Sequence, residues 1–176
     1  MPTLLNSTFP YGDGLNHMLT RTVTALSLVL LTLLLPVMGT AASAETIIGM
    51  VVGVHDGDTL TLLDDSKTQV KIRLAEIDAP ESRQPYGSRA KQELSGLAFG
   101  RPAAVQVQDL DRYGRTVGRV TVDGVDVNAE MVRRGAAWVY RKYAKDQSLF
   151  TIEEQARDTK AGLWALPEAD QIPPWE

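Results

Sequence analysis

Five runs of the chain alternate apolar and polar residues with a period of two, and each predicts a half-buried strand. The first is the β-rich run Ile47 to Val54, and the second sets Leu60 and Leu62 against Thr59 and Thr61. In the third, Val70, Ile72 and Leu74 alternate with Lys71 and Arg73, so Arg73 points away from the apolar side. The fourth sets Val105 and Val107 against Gln106 and Gln108, and the fifth runs through Val117 to Val122. Helical spacing appears elsewhere. Ala90, Leu94 and Leu97 share a helical face that Ser88 can cap and that Gly100 and Pro102 stop. Asn128 can cap a short helix ended by Gly135. A last helix begins near Asp146 or Ser148, places Leu149, Ile152 and Ala156 on one side, and ends at Gly162. The prolines of Ile172-Pro173-Pro174-Trp175 keep the tail extended. Five strands with a helix between the third and fourth is the chain order of an OB-fold barrel. The expected fold class is therefore a five-stranded OB-fold β-barrel plus about three helices.

The first 44 residues carry a different pattern. Ala25 to Leu35 is an apolar run as long as the core of a signal peptide, preceded by Arg21 and followed by the small-residue cleavage site Ala42-Ser43-Ala44. It falls short of the ~20 apolar residues of a membrane span. The expectation is a signal peptide over 1–44, with Met18 a candidate true start, and one domain over 45–176. The mature protein would then be periplasmic or secreted, with no stable membrane association and no lipid-anchoring cysteine.

Composition narrows the chemistry further. No cysteine occurs in the 176 residues, which excludes disulfides, thiolate catalysis and cysteine-held metal sites. With two histidines, His17 and His55, a histidine metal cluster is excluded as well. Formal net charge is −4 and the sequence pI is about 5.2, so any nucleic-acid contact must rest on a local basic patch.

Candidate chemistry concentrates between His55 and Glu81. Asp56-Gly57-Asp58 is a turn signal between two strands, and the strand bearing Arg73 ends in Asp78 and Glu81, with Pro80 holding Ala79 extended. A hairpin fold-back would bring Asp58 near Asp78. Acids gathered at strand ends beside an outward arginine make a reasonable site for a hard cation and an anion. The acid pattern is not an EF-hand: counting from Asp56, the fifth position is Leu60 and the twelfth Lys67, and neither is a usable ligand. A second cluster, Asp111-Arg112-Tyr113-Gly114-Arg115, occupies the turn before the fifth strand.

Asp56-Gly57-Asp58-Thr59, then Arg73 to Glu81, then Asp111 to Arg115 strongly resembles the thermonuclease (staphylococcal nuclease-like) family in order and spacing. Val127-Asn128 and Val132-Arg133-Arg134-Gly135 extend the likeness, which spans roughly Ile47 to Trp164. The resemblance implies an OB barrel with three helices that hydrolyses DNA and RNA with calcium, cleaving the 5′ P–O bond. It implies Arg73, Glu81 and Arg115 as catalytic residues, and Asp58, Asp78 and the main-chain carbonyl of Ala79 as metal ligands. Arg112 and Tyr113 fall at phosphate-contacting positions, and Tyr143 at an aromatic position near the base. Arg141 stands where the companion aromatic is expected, and Tyr140 is the candidate substitute. The chemistry agrees: arginine forks match phosphate oxygens, and an oxygen-only ligand set suits calcium better than zinc. The expected protein is a monomer acting on single-stranded or frayed DNA or RNA. The rival reading is a non-catalytic OB module that binds nucleic acid or another partner.

Overall fold

The computed structural model describes residues 45–173 and Trp175; the expected signal peptide over 1–44 lies outside the described residues. Strands β1 (Thr46–Val54), β2 (Thr59–Asp64) and β3 (Gln69–Leu74) form an antiparallel meander, and β5 (Pro102–Leu110) and β6 (Thr116–Val122) pair along the other edge of β1. Parallel pairing of Ile72, Arg73 and Leu74 with Thr116, Val117 and Gly118 closes five strands into a barrel. Closure removes the exposed edges that an open sheet of this size would carry. Most inward positions are those the alternation marked: Val51, Leu60, Leu62, Ile72, Leu74, Val105 and Val120 are buried, while Val70, near the start of β3, and Val107, at an irregularity in the β5–β6 pairing, are half-buried.

Among the described residues three α-helices cover the barrel: α1 (Gly87–Ala98), α2 (Val127–Arg133) and α3 (Ser148–Asp158). Each is in the expected region, but their ends differ. Ser88 does not cap α1; Tyr86 occupies the N-cap in a left-handed conformation and makes no side-chain cap bond. Burial decides this, because the Tyr86 ring packs against both apolar clusters of the molecule. Asn128 does not cap α2 either. Asp126 does, accepting the N–H of Ala129 at 3.1 Å, while Asn128 is turned wholly into the core. Helix α3 stops at Asp158 rather than Gly162, which instead begins a 3-10 turn over Gly162–Ala165. Leu149 and Ala156 are buried on its inner face, and so is Glu153, a carboxylate that the apolar spacing did not mark.

Among the described residues three two-residue strands escape periodicity altogether: β4 (Ile77–Asp78), β7 (Val125–Asp126) and β8 (Trp138–Val139). The antiparallel pair β4–β8 sets Asp78 opposite Trp138, and so joins the end of the arginine-bearing strand to the aromatic segment after α2. Among the described residues no helix is long and apolar enough to cross a membrane.

Candidate active site

The register of β2 and β3 places Thr59 opposite Arg73, so the Asp56–Asp58 turn lies against the outward face of β3. Arg73 spans the gap between two acids. Its guanidinium donates to Asp58 Oδ2 at 2.7 Å, and its other terminal nitrogen to Asp78 Oδ1. Asp58 is only 4% exposed. Its Oδ2 also accepts the N–H of Ala79 at 3.2 Å, and its Oδ1 the hydroxyl of Thr59 at 2.8 Å. Burial pushes the Asp58 carboxyl well above the usual carboxylate range; Arg73 opposes that shift, while Asp56 and Asp78 add to it. Two carboxylates against one guanidinium leave a negative excess in a place that solvates charge poorly.

Two glycines allow this approach. A Cβ on Gly57 would stand 2.6 Å from the Ala79 methyl and 2.7 Å from that of Ala90, so the acid turn seats directly on the residue after β4 and on α1. A Cβ on Gly87 would meet the Glu81 carbonyl at 1.9 Å, so only glycine lets α1 begin against the loop that carries Glu81. Overpacking of that kind typically costs about 1–3 kcal/mol. Gly57→Val is expected to lower stability by about that amount, read as a fall in the urea midpoint at unchanged slope.

Glu81 is exposed, and its backbone is fixed by Gln84, whose Oε1 accepts the Glu81 N–H at 2.6 Å. Arg115 lies in the β5–β6 hairpin, two residues before Val117, the parallel partner of Arg73. Barrel closure therefore sets the C-terminal end of β3, with Arg73, beside the start of β6, which Arg115 immediately precedes. Asp111 orients Arg115, accepting its Nε–H at 2.7 Å and its backbone N–H at 2.9 Å. Burial works against ionisation of Asp111, but the N–H groups of Arg115 and Tyr113 and the Arg115 guanidinium hold its carboxyl below the usual range. The guanidinium carbons of Arg112 and Arg115 lie 4.8 and 5.5 Å from the centre of the exposed Tyr113 ring, and Arg112 donates to the Tyr113 hydroxyl at 2.6 Å. This arm is a compact cationic and aromatic surface.

The aromatic positions form a third group. Tyr143, 53% exposed, meets Tyr140 edge-on at 4.8 Å. Tyr140 is itself stacked on Trp175 at 4.5 Å and 17°, so one face is already covered. Arg141 turns away from this surface and donates to the buried Glu153 at 2.8 Å. Asp58, Asp78, Ala79 and Arg73 thus make one contact group, Arg112, Tyr113 and Arg115 a second, and Tyr143 a third. Sequence reasoning missed the residues between the groups: Gln84, Glu76 and Trp175. Only Glu76 had a signal, as an acid inside the turn joining Arg73 to Asp78.

The donor set can be tested against a cation. Among the described residues no three His, Cys, Asp or Glu side chains gather as a metal cage. Asp58 and Asp78 offer carboxylate oxygens only, and Ala79 can add a carbonyl. A hard ion that keeps several waters fits such a sparse oxygen set, and a nitrogen- or sulfur-seeking ion does not. The buried negative excess at Asp58 favours the same charge.

A closed five-stranded barrel that holds Arg73 between the buried Asp58 and the half-buried Asp78, with Arg115 oriented by Asp111 just before the neighbouring strand, defines an OB-fold protein. Comparison with known proteins makes this specific. The family model for staphylococcal nuclease homologues matches residues 71–166. An uncharacterized endonuclease of Escherichia coli O157:H7 is 46% identical over 128 residues, covering 72% of this chain and 82% of the relative. A micrococcal nuclease of Shigella flexneri is 42% identical over 139 residues, covering 73% and 78%. A probable staphylococcal-like nuclease of rice is 44% identical over 106 residues, 60% of this chain but 31% of that longer protein. The chain belongs to the staphylococcal nuclease family. It is a nuclease, a phosphodiester hydrolase acting on nucleic acid.

Proposed function

We propose that this nuclease is exported and calcium-dependent, and that it cleaves DNA and RNA with Glu81 as general base and Arg73 and Arg115 as charge stabilisers. The observation that most supports the reading is Arg73 held between Asp58 and Asp78 beside the hairpin that carries Arg115. Asp58, Asp78 and the Ala79 carbonyl would hold calcium, which when bound supplies positive charge at a phosphoryl oxygen. Arg73 and Arg115 present planar two-pronged donors to the non-bridging oxygens, where negative charge grows as phosphorus is attacked. Glu81, exposed at the end of the same strand–loop unit, takes a proton from the attacking water. Arg115 does not donate the leaving-group proton, because a guanidinium gives up its proton only above about pH 12; solvent supplies it. Arg112 and Tyr113 contact a neighbouring phosphate, and Tyr143 a base. With net charge −4 and one local cationic arm, the substrate is single-stranded or frayed nucleic acid, and the protein acts as a monomer.

The purified chain incubated with heat-denatured DNA should cleave it in calcium and not in excess chelator. End-group analysis should find 3′-phosphate and 5′-hydroxyl ends, as scission at the 5′ P–O bond requires. Binding without cleavage in calcium would establish the non-catalytic OB module instead.

The metal assignment has its own expected result. Asp58→Ala and Asp78→Ala should each weaken calcium binding at least about tenfold by calorimetry, the scale of one lost charged ligand contact. Unchanged affinity in both variants would place the ion elsewhere. Export rests on the apolar run and the cleavage pattern before Glu45. Intact mass of the protein from its host should show a chain starting within a few residues of Glu45, and a retained leader on membrane-bound protein would reverse that reading.

A further inference from the structure

The chemistry assigned above makes no use of Glu76, although this residue lies in the turn between Arg73 and Asp78. Its position is costly twice over. The backbone is left-handed, with φ at +67°, where a glycine or asparagine would sit more easily. The side chain is a carboxylate only 7% exposed, and burying such a group is unfavourable unless its oxygens are satisfied.

They are satisfied from three directions. One oxygen accepts the backbone N–H of Asp146 at 3.0 Å and of Lys145 at 3.3 Å. The other accepts Nε2 of Gln108, from β5, at 3.3 Å. From β6, the Arg119 guanidinium approaches to 4.0 Å, while it also pairs with Asp146 at 2.8 Å and with Asp126 at 2.6 Å. The backbone of Glu76 adds a further tie, its carbonyl accepting the N–H of Tyr140 at 2.8 Å. One residue therefore grips the segment from Tyr140 to Asp146 at both ends. Tyr143 lies between the two grips and bonds Tyr140 through its own N–H at 2.9 Å.

We infer that Glu76 is a positioning residue for substrate: it fixes the Tyr140–Asp146 aromatic segment against the Arg73–Asp78 cluster and so sets how tightly the nucleotide beside the scissile phosphate is held. This rests on the proposed placing of phosphate at Arg73 and of a base at Tyr143. Separation along the chain does the work. Arg73 is three residues before Glu76 and Asp78 two after it, so this side chain ties the far end of the base platform to the phosphate site, where the β4–β8 pairing and the bond to Tyr140 hold only its near end. Glu76 touches no reacting group, and its loss should fall on substrate binding and leave the chemical step.

The test is a KM and kcat comparison at saturating calcium, on a heat-denatured DNA oligonucleotide, for the wild type, Glu76→Gln, Glu76→Asp, Tyr143→Ala and the double variant Glu76→Gln/Tyr143→Ala. Glutamine keeps the shape but turns an amide toward donors. Aspartate keeps the charge, tolerates the left-handed backbone and draws the carboxylate back by one methylene, so it remains informative if the glutamine variant folds poorly. The expected result is a KM raised roughly tenfold in both Glu76 variants with kcat within about twofold, the scale of losing one stacked base. Tyr143→Ala should raise KM similarly, and the double variant should rise no further, because both changes remove the same contact. Wild-type KM in both Glu76 variants, a loss borne by kcat, or full additivity with Tyr143→Ala would overturn the inference. A wild-type protein that cleaves nothing would instead overturn the functional reading and this inference with it.

Discussion

Arg73→Lys and Arg115→Lys are each expected to lower turnover on denatured DNA by about 10²–10³ at saturating calcium, the usual cost of one preorganised donor in an oxyanion site. Lysine keeps the charge and loses the planar fork. At Arg115 the loss should be sharper in geometry than in charge, because Asp111 holds Nε at 2.7 Å and thereby aims the two terminal nitrogens outward. A lysine there has a single nitrogen, so it cannot hold Asp111 through one nitrogen while presenting a planar pair of others to phosphate. At Arg73 the guanidinium already spans Asp58 and Asp78, so lysine should also loosen the acid pair. Glu81→Gln removes the base while preserving size, and should cost about 10²–10⁴ in turnover with substrate binding little changed. Steady-state kinetics on the three variants, with folding checked by circular dichroism, decide the matter. Turnover close to wild type in any folded variant would take that residue out of the mechanism.

The second large effect concerns stability. Asn128→Leu is expected to destabilise the protein by about 2–6 kcal/mol, because two buried backbone groups lose their partners at about 1–3 kcal/mol each. Asn128 is fully buried, accepts the N–H of Val120 at 2.9 Å, and donates to the Ala75 carbonyl at 2.8 Å. Its amide thus joins β6 to the chain as it leaves β3. The Gly118 carbonyl is less exposed to the change, since it also accepts the Ala75 N–H at 2.8 Å. Leucine fills the space and offers neither donor nor acceptor. Asn128→Asp should fare no better, because it keeps the acceptor for Val120 but sets a carboxylate beside two carbonyls. Urea unfolding should show the loss as a lower midpoint with an unchanged slope. A shift below ~1 kcal/mol would mean that relaxation or water replaces the amide.

The contrast between Asn128 and Arg73 separates what could be read from the chain and what could not. Strand positions such as Leu60, Leu62, Ile72 and Val105 were legible because period-two burial is a local consequence of the pleat. The outward direction of Arg73 followed from the same rule, and the turn residues Asp56-Gly57-Asp58 from the rarity of other uses for that composition. Asn128 read locally as a helix cap, since asparagine before an apolar run usually is one. Tertiary structure gave that task to Asp126 and sent Asn128 inward, because barrel closure leaves Val120 and Ala75 with buried polar groups to satisfy. Ser88 lost its capping role for a related reason: burying the Tyr86 ring against two clusters outweighs one side-chain cap.

By itself, then, the sequence determined the barrel strands, the three helical regions, the exclusion of cysteine and histidine chemistry, and the motif spacing that marks the staphylococcal nuclease family. Only the tertiary structure decided how those motifs meet. The parallel β3–β6 pairing brings Arg73, at the end of β3, beside the Arg115 hairpin at the start of β6, across more than forty residues of chain. The pairing of Asp78 with Trp138, and the grip of Glu76 on Tyr140, Lys145 and Asp146, join the acid cluster to the aromatic segment. None of these contacts has a local signature. Two-residue strands carry too few positions to show a period, and a buried carboxylate is stable only where distant backbone N–H groups and an arginine converge on it.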